Sequence, residues 1–169
     1  MSKAFTREDD APDLPLAPRL PEPLPPGLKN YLTEGGALRL REELQRLLNV
    51  DRPRLNALPP DSARRELQAV DQRITHLHQS LQSAVVVPAP PEPHDQVRFG
   101  ATVTVSDGAG RQLDYRIVGL DEIDLDRNWI SFRSPVARAL LNGRVGGKAR
   151  FGSPSGEQEL KILSVRYEN

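Results

Sequence analysis

No cysteine occurs among the 169 residues, which excludes disulfides and thiolate-bound zinc and fits a reducing cytosol. An excess of one charge is missing as well: 23 basic side chains face 23 acidic ones, for a formal net charge of zero. Non-specific duplex binding draws its affinity from neutralised phosphates, so this balance points to a protein partner while leaving room for a local basic patch. Apolar runs nowhere approach the roughly 18 residues of a membrane span. Met1 to Asp10 holds Lys3, Arg7, Glu8, Asp9 and Asp10 with no apolar stretch behind it, which does not read as a secretory signal. The expected compartment is the cytoplasm, with no membrane association. Apolar residues make up only 37%, beside 16 prolines and 12 glycines, so a small domain with an elongated appendage is expected rather than one continuous core.

Residues 1–28 contain no helix or strand pattern. Pro12, Pro15, Pro18 and Pro21 recur every third residue, followed by Pro23, Pro25 and Pro26, a spacing that favours an extended polyproline II tail. Residues 30–84 change character. After Thr33, a candidate N-cap, Leu38, Leu40, Leu44, Leu47, Leu48, Leu55 and Leu58 alternate with long charged side chains. Pro53 interrupts this arm and should kink or loosen it at a cost of about 3 kcal/mol if truly interior. Leu58-Pro59-Pro60-Asp61 forms the turn. In the second arm Ala63, Leu67, Val70, Ile74, Leu77, Leu81 and Ala84 hold an unbroken four-three spacing. Two arms of similar length across a tight turn predict an antiparallel coiled-coil hairpin that pairs within one chain, hence a monomer.

Residues 85–96 are proline-rich and read as a linker. Residues 97–169 read as five strands and one short helix. Ala101, Val103 and Val105 alternate, Asp107-Gly108-Ala109-Gly110 is a hairpin turn, and Leu113 to Val118 returns. Asn128 to Phe132 is a short strand, Ser134-Pro135 starts a helix running toward Gly143, and two strands meet at Ser153-Pro154-Ser155-Gly156. The fold class is α+β: a helical hairpin, then a compact antiparallel sheet with the helix on one face.

Candidate chemistry is sparse. His76, His78 and His94 are not spaced as metal ligands and read as solvated; no metal or cofactor is expected. Gly146-Gly147-Lys148 lacks the spacing of a phosphate loop. Asp121, Glu122, Asp124 and Asp126 read either as a solvated loop or as a protein-binding surface. At the hairpin tip Asp61 is alone, with Glu66 five residues further on.

Several stretches carry a resemblance: Tyr31-Leu32-Thr33-Glu34-Gly35-Gly36, Phe99-Gly100-Ala101-Thr102-Val103, Arg116 to Ile123 and Ser134-Pro135-Val136-Ala137-Arg138-Ala139-Leu140-Leu141. Together with the hairpin they resemble the bacterial GreA/GreB transcript-cleavage factors, GreB more nearly, over residues 30–168. The resemblance implies an FKBP-like C-terminal domain that docks on the rim of the RNA polymerase secondary channel while the coiled coil enters it. It assigns docking to Asp121, Glu122, Ile123, Ser134, Pro135, Ala137 and Arg138, with Leu140 and Leu141 supporting from the core. DNA or RNA would be approached only through the polymerase.

Active members of that family carry an Asp-x-x-Glu-Asn type motif at the tip, holding a Mg²⁺. None occurs between Leu55 and Leu67, and the arms look shorter by about one heptad each, a change that keeps register. The expectation is a non-enzymatic, non-cleaving regulator bound at the channel. The alternatives are a cleavage factor using Asp61 and Glu66, or an adaptor for another partner, like the related nucleoside-diphosphate-kinase regulators. Prolyl isomerase activity is the weakest reading, because fold does not carry activity and Trp129 with few other aromatics outlines no prolyl pocket.

Overall fold

The computed structural model describes residues 26–168; the expectation of a polyproline II tail falls almost wholly outside them. Strand β1 (Asn30–Thr33) leads into helix α1 (Glu34–Arg46). Thr33 caps that helix as expected, its hydroxyl accepting from the Gly36 amide at 2.9 Å. Instead of continuing evenly, the arm widens into a π turn at Leu47–Asp51, in which the Arg52 amide donates to the Leu47 carbonyl. A short helix α2 (Arg52–Asn56) follows, with Pro53 in its first turn. Proline brings no N–H and its ring crowds the preceding turn, so a local π widening is a physical answer to it.

Helix α3 (Pro60–Ser83) returns antiparallel. Partner numbers fall along α3 as they rise along the first arm: Glu43 pairs with Arg73, and Arg52 with Asp71. Leu40, Leu44 and Leu47 are buried with Leu77, and Val70, Ile74 and Leu81 pack beside them. Leu38 and Leu58, counted in the first arm's stripe from sequence, are instead half-exposed. The buried set Ala37, Leu40, Leu44 and Leu47 keeps a three-four-three step, and Leu38 is one residue out of phase with it.

Val85 to Val87 is not irregular chain. Strand β2 (Ala84–Val87) pairs parallel with β1, Asn30 opposite Ala84 and Thr33 opposite Val87, closing the base of the hairpin. Four-residue strands carry too little alternation to stand out in a sequence.

The remaining strands are β3 (Ala101–Ser106), β4 (Gln112–Val118), β5 (Trp129–Ser131), β6 (Lys148–Ser153) and β7 (Gly156–Tyr167), in the order β5-β4-β3-β7-β6. The predicted all-antiparallel sheet is in fact mixed, because β5 runs parallel to β4. The crossover between them, from Gly119 to Asn128, contains a 3₁₀ turn at Leu120–Glu122 where the sequence pattern predicts only an acidic loop. Ala101, Val103 and Val105 are fully buried against Ile117, Leu160 and Ile162. A bulge shifts the β3–β7 register, Thr104 facing Ser164 and Val105 facing Ile162. The extra residue resets the alternation, which is why Leu160, Ile162 and Val165 share the inner face. Helix α4 (Pro135–Leu140) covers this face with Ala137 and Leu140; Ser134 caps it, accepting from the Ala137 amide at 3.2 Å. It ends at Leu140, short of the predicted Gly143. Among the described residues no helix is long and apolar enough to cross a membrane.

Candidate functional site

The base of the hairpin and the sheet meet at the 3₁₀ turn, where two of the predicted docking residues point inward. The Glu122 side chain is 1% exposed. Its carboxylate accepts from the Thr33 amide at 2.9 Å, the Thr33 hydroxyl, the Gly119 amide at 3.2 Å and Arg39 at 3.3 Å. A buried carboxylate is tolerated only when so fully satisfied. Burial lowers the pKa of the Arg39 guanidinium, and the Glu122 charge opposes that shift.

Two glycines make the approach possible. A Cβ on Gly36 would lie 1.9 Å from the Glu122 Oε1, and one on Gly119 would lie 1.9 Å from the Tyr31 carbonyl oxygen. The resemblance pointed to both stretches, but only the tertiary contact shows why glycine stands there.

Asp121 turns the other way, toward α3. It meets His76 Nε2 at 3.0 Å, accepts from Ser80, and receives the Asn30 side-chain amide at 3.4 Å. His76 is therefore not the solvated surface residue expected from sequence. Asp124 faces Arg127 at 3.4 Å, so the acidic run is divided between separate partners rather than forming one cluster. Trp129 is a structural hub that the sequence reading does not single out: the guanidinium groups of Arg39, Arg116 and Arg127 lie 4.6, 4.7 and 5.3 Å from its ring centroid. Tyr31, Phe99 and Phe132 form a second bridge, with centroids 5.8–6.0 Å apart. Only Arg127 lies close to Trp129 in the sequence; Arg39 and Arg116 reach its ring from 90 and 13 positions away, so no linear pattern marks the cluster.

The remaining predicted docking residues divide by exposure. Ile123, Pro135 and Arg138 are exposed, and Leu125 beside Ile123 is 76% exposed. Ser134 serves as the α4 cap and Ala137 is fully buried, so both shape the backbone rather than offer a surface.

At the far end, Leu58, Pro59, Pro60 and Asp61 are exposed. Asp61 sits in the first turn of α3, where a negative charge suits the helix dipole. Glu66 is exposed too, but five residues along a helix place it about 140° around the axis from Asp61. The two carboxylates do not converge on one ion, and no group of three or more His, Cys, Asp or Glu that could hold a metal occurs among the described residues. The tip does not fit a metal held by this chain alone.

Comparison with known proteins gives the context. The family model described as "Transcription elongation factor, GreA/GreB, C-term" matches residues 92–167. Transcription elongation factor GreB of Neisseria meningitidis is 40% identical over 154 residues, covering 82% of this chain and 94% of its own. Transcription elongation factor GreA of Alkalilimnicola ehrlichii is 38% identical, covering 80% and 96%. The solved structure of prokaryotic transcription elongation factor GreA/GreB from Nitrosomonas europaea is similar with a TM-score of 0.42 at 24% identity, covering 82% of this chain and all of that one. The chain belongs to the GreA/GreB family.

Membership implies interaction with RNA polymerase, and members assist the polymerase's own cleavage as transcription factors without being enzymes themselves. This corrects the expectation of a non-cleaving regulator. The chain matches GreB and GreA relatives over 94–96% of their lengths, and a missing tip spacing is no ground for removing the activity. Motif spacing reports one arrangement of acids, whereas the structure leaves both Asp61 and Glu66 exposed at the hairpin's distal end.

Proposed function

We propose that this protein is a GreB-like transcript-cleavage factor that docks on the rim of the RNA polymerase secondary channel and extends a compact hairpin inward. The hairpin is shorter than its relatives' by about one heptad in each arm. The docking surface comprises Ile123, Pro135 and Arg138, and the units act as a helical hairpin (30–84), a connection (85–96) and an FKBP-like domain (97–169) within a monomer. The observation that carries this reading is the exposed Asp61 carboxylate at the start of α3, beyond the end of the first arm. A carboxylate delivered there can accept a hydrogen bond from the attacking water and orient it, a contribution of roughly 10²–10⁴-fold in favourable cases. Glu66, around the helix, has the smaller share.

Backtracked elongation complexes test this. The protein should accelerate release of the cleaved 3′ fragment, Asp61→Asn should lower that acceleration about tenfold or more, and Glu66→Gln should lower it less. Binding to polymerase should survive both changes and be weakened by Ile123→Asp with Arg138→Glu. Polymerase binding without any acceleration by the unaltered protein would overturn the proposal.

A further inference from the structure

A groove of about 1140 Å³ runs along α3 from the hairpin tip to its base. Leu55, Leu58, Ala63 and Leu67 line the tip end, and Ser80, Ser83, Leu120 and Asp121 the base end. Between them Gln68, Gln72 and Gln79 present side-chain amides that make no hydrogen bond among the described residues. Such a wall takes an apolar strand rich in free carbonyls better than it takes a helix, whose carbonyls are already bonded.

The chain itself carries such a strand. The described residues begin at Pro26, four positions before Asn30, and Asn30 lines the groove. Residues 12–25 alternate Leu14, Leu16, Leu20 and Leu24 with six prolines, which have no N–H to satisfy and leave carbonyls to accept. We propose that this N-terminal segment docks along the α3 groove of its own chain.

Length and charge agree. At about 3.1 Å per extended residue the 13 steps from Pro26 back to Asp13 cover about 40 Å, against about 36 Å for the 24 residues of α3. Glu8, Asp9, Asp10 and Asp13 would then reach the tip. There Arg54, Arg64 and Arg65 are exposed and form no ion pair among the described residues. The groove is aliphatic and amide-lined where many proline-rich ligands meet aromatics, so apolar contact comes from the leucines and register from the charges at the far end. The segment would shield the apolar wall beside the tip. This inference is independent of the cleavage proposal.

The absence of cysteine permits a direct test on the full chain. A nitroxide on Ala17→Cys should broaden backbone amide resonances of Leu67, Gln68 and Gln72 while sparing β6 and β7. Adding Arg64→Glu and Arg65→Glu should reduce that broadening at least twofold. The proposal is overturned if the α3 amides broaden no more than those of β6 and β7. It is equally overturned if the broadening appears in full when label and ¹⁵N reside on different copies, which would make a second copy the occupant.

Discussion

Glu122 illustrates how one side chain can join two parts of a protein while reading from sequence as an exposed acid. Its carboxylate gathers donors from two stretches of chain, Thr33 and Arg39 at the start of the first arm and Gly119 just before the 3₁₀ turn. Replacing it by Ala would leave buried donors unpaired, and Glu122→Ala should destabilise the fold by about 3 kcal/mol. Gly36→Ala should cost roughly 2 kcal/mol or more, because its Cβ would collide with a carboxylate that cannot move without losing those bonds. Urea denaturation measures both, and an effect of Glu122→Ala no larger than that of an exposed Glu34→Ala would contradict the role assigned to it.

The hairpin is held by a buried seam with ion pairs along its edge, and these contribute unequally. Arg73 meets Glu43 through two hydrogen bonds of 2.8 Å, both side chains being about 30% exposed. The Glu43 hydrogen bond raises the Arg73 pKa above its ordinary value, outweighing burial. Arg52 and Asp71 form a single contact with both side chains nearly half-exposed. Arg73→Ala should therefore cost about 1 kcal/mol and Arg52→Ala less than about 0.5 kcal/mol. A Leu77→Ala change, at a fully buried position, should exceed both at about 3 kcal/mol. Thermal melts of the three variants check the ordering, and equal losses for the two arginines would show that bidentate geometry adds nothing here.

Across the molecule, charge is balanced in number but not idle. Hydrogen bonds from Arg166 and Thr104 hold the Asp114 carboxyl below its ordinary pKa, and those from Lys148 and Arg150 do the same for Glu159. A carboxylate depressed in the folded state contributes stability above its unfolded pKa and loses it as pH falls through the folded value. The protein should thus weaken progressively on acidification below about pH 4. Asp114→Asn should flatten part of that dependence, modestly because Asp114 and Arg166 are both about half-exposed. Urea midpoints between pH 3 and pH 6 measure it, and an unchanged slope in the variant would remove Asp114 from the account.

Local chemistry was legible where neighbours in sequence decide the structure. Thr33 and Ser134 cap their helices, Val70, Ile74, Leu77 and Leu81 of the four-three spacing in α3 pack in the hairpin seam, and Asp107 closes its hairpin turn by accepting from the Ala109 and Arg111 amides. These depend on residues within a turn or two of one another, so a linear pattern suffices. Partners 40 to 90 positions apart left no such trace: Glu122 with Thr33, Asp121 with His76, and β1 beside β2. The acidic run after β4 looked like one exposed group because composition cannot tell which way a carboxylate turns. Only the packing of hairpin against sheet sent Glu122 to one side and Asp121 to the other, since a buried charge settles where enough donors converge to replace water.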